Sequence, residues 1–374
     1  MNIYTKQGLR RVINASGRMT ILGASTISDE VAQAVVDAAQ NYVVINDLLK
    51  WAGRRVGSLI GCADACITSS GSAGIALSVA SLLCRDNLQK VQHFSETVRT
   101  TGRRRVILPK GHNVNFGAPI ATMVELGGGE VVEVGYANGC TLDDYKSAVD
   151  DDTLAIMFVK SHHCVQKEMV DVPDVVAFAN RINVPCIVDA SAEEDLSRYI
   201  AMGADFVCYS GAKAICGPTS GFVACKSEAY ADNMRLQYSG IGRAMKVGKE
   251  SITGLVKAIE IYQTRRQAGI VSVDDLKDFL IKVSRIEGLS GSIVQDEAGR
   301  AIYRAKINFD KAKYGMSAVE VAEALSHGDP AIYTRDYQAN VGSLAIDPRP
   351  LRSRGELDEI CESLIRLKNE GHHA

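Results

Sequence analysis

Pro185-Cys186-Ile187-Val188-Asp189-Ala190 and Phe206-Val207-Cys208-Tyr209-Ser210-Gly211-Ala212-Lys213 are the two segments whose reading decides the fold. Each begins as a short run that is apolar throughout and leads to a residue able to do chemistry. A strand exposed on one face alternates polar and apolar side chains, whereas one buried on both faces does not. Runs of the second kind point to a mostly parallel sheet covered by helices on either side. Ligands of such sheets sit outside the carboxyl ends of the strands, where Asp189 and Lys213 stand. The 24 residues from Asp189 to Lys213 suffice for one helix and one strand, so both side chains can reach one sheet edge.

Outward from this pair the same strand pattern recurs at Val106–Leu108, Glu130–Val134, Leu154–Val159 and Phe222–Cys225. Helical patterns lie between strands at Ala118–Leu126, Leu142–Val149 and Val172–Ile182. The expected fold is therefore α/β, a mostly parallel central sheet with helices on both faces. A long helix is expected from Lys249 to Arg266, with Gly269 as its C-cap. Beyond it the pattern changes to helix at Val273–Ile286, strand at Ile302–Ile307, helix at Ala318–Leu325, strand at Ser343–Ile346 and helix at Gly355–Asn369. That is a smaller C-terminal α/β domain. The expected organisation is an N-terminal segment 1–45 packing with the small domain, a large domain 46–268 and a small domain 269–374, with the boundary near Ala268.

Composition narrows the class. The 374 residues are 46% hydrophobic and 23% charged, as in an ordinary globular protein. A formal net charge of −2 offers no broad electrostatic footprint for nucleic acid. No run of eighteen apolar residues occurs, so no membrane span is expected, and residues 1–17 lack the apolar core of a signal peptide. Ten cysteines are scattered without a CxxC pair, and Cys62 and Cys66 have no second ligand pair at zinc spacing. They read as small core residues in a reducing compartment, so no metal and a cytoplasmic setting are expected.

Four segments carry chemistry. Thr68-Ser69-Ser70-Gly71-Ser72-Ala73-Gly74 precedes the helical run Ile75–Leu83. Its small residues let a phosphate approach the helix N-terminus, although an ordinary capping loop has the same composition, and the P-loop Lys-Ser/Thr is missing. Asp189 can pair with a protonated pyridine nitrogen or cap the next helix. Lys213, among Ser, Gly and Ala, is placed to be desolvated, which leaves a nucleophilic amine for a carbonyl. His112, in Lys110-Gly111-His112-Asn113-Val114-Asn115-Phe116-Gly117, can stack on a flat ring or serve as a capping residue.

Taken together, these segments resemble the selenocysteine-synthase-like branch of the fold-type I pyridoxal 5′-phosphate (PLP) enzymes. Ser210-Gly211-Ala212-Lys213, with Gly217-Pro218 and Gly221, is similar to that branch's Schiff-base motif. Val12-Ile13-Asn14-Ala15-Ser16-Gly17 and Gly53-Arg54-Arg55-Val56-Gly57 resemble two further signatures, and similarity continues weakly at Leu344–Arg349. Within the branch, Val12–Gly23 and His112–Ile120 most resemble the ammonia-lyases of D-glucosaminate 6-phosphate. Against bacterial selenocysteine synthases the chain is expected to differ in its shorter length, in having no extra N-terminal tRNA-binding domain and in its near-neutral charge.

The resemblance implies PLP as cofactor, with Lys213 as its covalent anchor and the base at Cα, and Asp189 on the ring nitrogen. It implies Ser70, Gly71, Ser72 and Ser210 around the phosphate, His112 stacked on the ring, and His163 or Ser161 at the ring hydroxyl. A substrate carrying both a carboxylate and a phosphate calls for arginine forks; the candidates are Arg18, Arg54, Arg55, Arg335 and Arg349. The implied reaction is dehydrating deamination of a phosphorylated amino sugar acid to 2-keto-3-deoxygluconate 6-phosphate and ammonia, by a homodimer or higher homo-oligomer. No nucleic-acid or membrane partner is expected. The alternatives are a selenocysteine-synthase-like enzyme modifying aminoacyl-tRNA, another PLP lyase or aldolase, and a metabolite-binding relative without turnover.

Overall fold

The computed structural model describes residues 2–161, 163–264, 270–297 and 299–371. Its residues gather into two compact units, Ile27–Arg266, and Met1–Thr26 together with Gln267–Ala374.

The large unit is built on a seven-stranded sheet. Its strands, in spatial order, are Asp64–Thr68, Gly221–Cys225, Phe206–Ser210, Cys186–Asp189, Thr153–Val159, Arg105–Pro109 and Glu130–Val134. Six share one direction, and Gly221–Cys225 runs antiparallel to both neighbours. The mostly parallel α/β fold expected from the uniformly apolar runs is the fold observed. Successive residues of each strand feed opposite cores. Val106 and Leu108 join Ile75, Leu77 and Val79 of the helix Gly71–Cys84 on one face. Ile107 joins Val56, Val175 and Leu255 on the other. Each such side chain taken from water contributes about 1.5–3 kcal/mol. The helix Gly71–Cys84 is buried nearly all round, which explains why its sequence carries no charged residue.

Residues 27–45, expected to pack with the small domain, lie in the large unit instead. The cause is the helix Asp29–Ala39, which packs on Lys249–Thr264. Lys249 Nζ donates to the carbonyls of Ala38 and Ala39, the latter at 2.8 Å. The expected helix end at Arg266, its cap at Gly269 and the boundary at Ala268 lie outside the described residues.

The small unit has an antiparallel sheet in which Tyr303–Phe309 lies between Leu289–Gln295 and Ser343–Ile346, and a parallel pair of Val12–Ala15 with Ala331–Thr334. The helices Val273–Val283 and Ala318–His327 start with capping boxes, Ser272 with Asp275 and Ser317 with Glu320. Together with Gly355–Gly371 they cover the core around Ala305, Ile307 and Leu344. No helix among the described residues is long and apolar enough to cross a membrane.

Candidate active site

Asp189 ends its strand with a carboxylate that is only 7% exposed. Ser191 donates to Oδ1 twice, from its hydroxyl at 2.5 Å and its backbone N–H at 3.0 Å. No hydrogen bond reaches Oδ2 from the described residues. Burial pushes the carboxyl above the usual range, and the Ser191 hydroxyl and the charge of Lys213 oppose that rise. The result is a desolvated carboxylate with one oxygen held and one open to a cationic donor.

Lys213 follows the adjacent strand, three residues past Ser210. Its loop is closed by Gly217 N–H to the Gly211 carbonyl at 2.8 Å, Cys216 N–H to the Lys213 carbonyl at 3.2 Å and Gly211 N–H to the Ser220 carbonyl at 2.9 Å. A side chain at Gly211 would meet Ser220 Oγ at 2.3 Å, so only glycine lets the two lines of chain lie this close. The small residues around Lys213 thus pin the backbone, and its side chain is half-buried.

The third element of the edge is the N-terminus of the helix Gly71–Cys84. Ser70 caps it, its Oγ accepting from Ala73 N–H at 3.0 Å. The N–H groups of Gly71 and Ser72 take no partner among the described residues. A Cβ at Gly71 would lie 2.5 Å from Ser191 Oγ and 3.6 Å from Ser210 N. Ser70, Gly71, Ser191 and Ser210 therefore converge on one edge, which offers N–H groups and hydroxyls for a phosphate, a buried carboxylate for a protonated ring nitrogen and an amine for a carbonyl. Those are the fixed points of PLP, and the residues present fit it.

His112 lies beside this edge, because Val159, which donates its N–H to His112 Nδ1 at 3.4 Å, pairs with Asp189. The ring is 1% exposed and meets Phe158 edge-on at 4.4 Å. Burial lowers its pKa to about 4, so it is neutral. Ser161 Oγ accepts from His163 N–H at 3.2 Å, which sets both in the loop after Thr153–Val159. The sequence reading missed Ser191 and the pair Lys160 and Gln166. Lys160 N–H donates to the Asp189 carbonyl at 2.8 Å, and its Nζ donates to Gln166 Oε1 at 3.0 Å. The Asp-x-Ser spacing was the available signal for Ser191. Cys164 and Cys208 border Asp189, and burial raises both thiols, Cys164 to about 12, so neither is a nucleophile.

The five candidate arginines divide between the two units. A Cβ at Gly53 would strike the Ala65 carbonyl at 2.1 Å, so Arg54 and Arg55 flank the amino end of Asp64–Thr68. Thr68 pairs with Gly221, which pairs with Ser210, so the Lys213 edge is the other end of that strand. The intervening strand is about 10 Å long. Arg55 is held there by Glu260 at 2.7 Å. Within one chain these two arginines are therefore not brought to Lys213. Arg18, Arg335 and Arg349 belong to the small unit. Arg349 makes a two-point contact with Asp347, at 2.9 and 2.7 Å. Gly17 lies against that pair, its turn closed by Asn14, whose Nδ2 donates to the Gly17 carbonyl at 2.9 Å. Arg18 follows this turn. Arg335 is buried against Glu297 at 3.1 Å.

The family model of L-seryl-tRNA selenium transferase matches residues 12–278. Over 373 residues the chain is 42% identical to a D-glucosaminate-6-phosphate ammonia lyase of Salmonella typhimurium, covering 100% of this chain and 99% of that one. It is 37% identical over 371 residues to a 5'-C-glycyluridine monooxygenase-decarboxylase of a Streptomyces species, covering 98% and 91%. A solved structure of D-glucosaminate-6-phosphate ammonia-lyase superposes with a TM-score of 0.91 at 41% identity, covering 100% of this chain and 99% of that one.

Proposed function

The chain belongs to the L-seryl-tRNA selenium transferase family, and from that premise we propose that it is a PLP-dependent ammonia-lyase converting D-glucosaminate 6-phosphate to 2-keto-3-deoxygluconate 6-phosphate and ammonia. The observation that carries the chemistry is the meeting of a desolvated Asp189 and Lys213 at one carboxyl edge. The substrate rests on full-length similarity to the lyase.

Bound PLP supplies an electron sink for the pair of electrons left at Cα when its proton departs. In this reading Lys213 would anchor the cofactor, Asp189 would pair with its ring nitrogen, and Ser70, Gly71, Ser72 and Ser210 would hold its phosphate. Ser191 fixes the Asp189 carboxylate through Oδ1, which leaves Oδ2 for the cofactor. His112, neutral and buried, presents no competing charge to the ring, and Ser161 or His163 serves the ring hydroxyl. Once displaced by the substrate amine, Lys213 takes the Cα proton as general base. Lys213 then returns that proton to the C3 hydroxyl, which leaves as water, and water adds at C2 as ammonia departs, so the reaction consumes no net water. Two copies of the chain are the expected working unit.

The test is an ammonia and keto-acid assay of the PLP-loaded enzyme on a panel of amino acids and amino sugar acids with and without phosphate. Equimolar ammonia and keto acid from D-glucosaminate 6-phosphate, and borohydride trapping of PLP on Lys213, are expected. Oxygen uptake with carbon dioxide release would move the chain to the chemistry named for the Streptomyces relative. Turnover confined to a charged tRNA would move it to the selenium transferases.

A further inference from the structure

We propose that Lys160 is the cationic partner of the cofactor's ring oxygen, a charge that the large unit holds ready one strand beyond Asp189. The proposal rests on the reading of PLP as cofactor and not on the substrate, and every group it uses belongs to the unit Ile27–Arg266.

The placement follows from strand order. Lys213 comes after Phe206–Ser210, Asp189 ends the next strand, and Thr153–Val159 lies beyond it. Val159 pairs with Asp189, and Lys160, the first residue past that pair, donates its N–H to the Asp189 carbonyl at 2.8 Å. The PLP ring carries its oxygen and its phosphate arm on either side of the carbon that bears the aldehyde. The arm belongs at the start of Gly71–Cys84, which meets Ser191 and Ser210, and the ring nitrogen belongs at Asp189. In that orientation the oxygen falls on the side of Thr153–Val159, where Lys160 stands.

Lys160 brings an unanswered charge to that place. Its half-buried ammonium donates to Gln166 Oε1 at 3.0 Å and meets no carboxylate among the described residues. Gln166 is itself fixed, its Nε2 donating to the carbonyls of Ser161 at 2.8 Å and Cys164 at 3.1 Å. Bracing the loop requires no charge, because Gln166 already closes it through those two carbonyls. An ammonium has three N–H donors, so two of them and the full charge are left for a ligand. A cation withdrawn from water without a counter-ion is costly, and an ionised ring oxygen supplies one. The neighbouring groups leave that role open. Asp189 serves the ring nitrogen and Lys213 the aldehyde carbon. Ser161 offers a hydroxyl without charge, and His163 stands in the same loop. His112 is neutral, and the Lys160 charge adds to the burial that keeps it so. The buried Cys164 thiol feels the charges of both Asp189 and Lys160, which sets the two around one side chain.

A cation beside the ring oxygen stabilises its negative charge and opposes the proton that the Lys213 nitrogen carries once it holds the cofactor. The PLP-loaded enzyme, without substrate, would be titrated with acid and base and followed by its visible absorbance. In Lys160→Met the midpoint is expected to rise by about one pH unit or more, roughly tenfold in that proton's equilibrium. Lys160→Arg should restore the wild-type midpoint. Gln166→Leu, which releases the ammonium without removing it, should move the midpoint by less than Lys160→Met does. KM for the sugar acid should stay near wild type in all three variants. An unmoved midpoint in Lys160→Met with a lowered Tm would make Lys160 a loop brace and overturn the proposal. An unmoved midpoint with a raised KM would assign the charge to the substrate and overturn it too. A wild-type chain that takes up no PLP would overturn the cofactor reading and the proposal together. A moved midpoint in a chain without lyase activity would sustain the proposal and overturn only the substrate reading.

Discussion

At the residue scale, the role proposed for Asp189 runs against stability. Its carboxylate is buried, and its pKa is raised above the ordinary value by that burial. A carboxyl whose folded pKa is raised contributes stability below its unfolded pKa and loses it as pH rises through the folded value. Above that raised value the ionised group therefore costs the cofactor-free protein stability, which a ring cation would offset. Asp189→Asn should raise the Tm of the cofactor-free enzyme by a few degrees at pH 7, with little effect at pH 4. It should also lower turnover by about a hundredfold or more, with PLP still bound. Thermal melts across that pH range and a rate assay check both halves; wild-type behaviour in each would leave Asp189 a turn former. Asp189 and Lys213 were legible because both sit past strands that are apolar throughout. Ser191 was not, because a serine two residues after an aspartate looks like any turn. Where Arg54 and Arg55 fall was not legible, because a motif resemblance does not say which end of a strand a helix residue adjoins.

At the scale of elements, the helix Gly71–Cys84 contains two glycines with different tasks. A Cβ at Gly71 would meet Ser191 Oγ at 2.5 Å, whereas at Gly74 it would meet Val223 Cγ2 at 2.9 Å. Gly71→Ala should push Ser191 off Asp189 and crowd the helix N-terminus. PLP affinity should fall at least about tenfold while the cofactor-free Tm stays near wild type, since alanine is the better helix residue. Gly74→Ala overpacks the core and should cost about 1–3 kcal/mol of stability with PLP affinity retained. PLP titrations and urea melts on both variants separate these outcomes; a stability loss in Gly71→Ala equal to that in Gly74→Ala would remove the distinction. The strand Glu130–Val134 was read with its bounds, but Asp64–Thr68 was hidden by the Ser/Gly loop it enters. Leu289–Gln295 was hidden by its own Ser and Gly residues and its mostly exposed face.

The whole molecule divides its acid sensitivity between the two units, which sequence periodicity could not reveal because it depends on buried pairs. In the large unit His112 is held neutral by burial, with a pKa of about 4. A lowered histidine pKa contributes stability that is present above about 6.5 and is lost as pH falls towards 4, because the unfolded chain takes up the proton first. The loss amounts to about 3 kcal/mol over that window. In the small unit burial raises the Asp347 carboxyl, but Arg349 and Arg304 outweigh it and hold it at about 2. Burial and the opposing Arg300 and Arg304 leave Asp296 lower still. Their stabilisation is lost only as pH falls below the ordinary carboxylate value of about 3.8. Hydrogen exchange of the intact chain, corrected for intrinsic rates, should therefore lose protection in the seven-stranded sheet between pH 6.5 and 4 while Tyr303–Phe309 stays protected. Below about pH 3 the small unit should follow. Asp189 titrates in the opposite sense, so the comparison is cleanest in the Asp189→Asn background, where His112→Phe should flatten the first phase and leave the second. A small unit that opens first, or a first phase untouched by His112→Phe, would show that other groups govern the acid response.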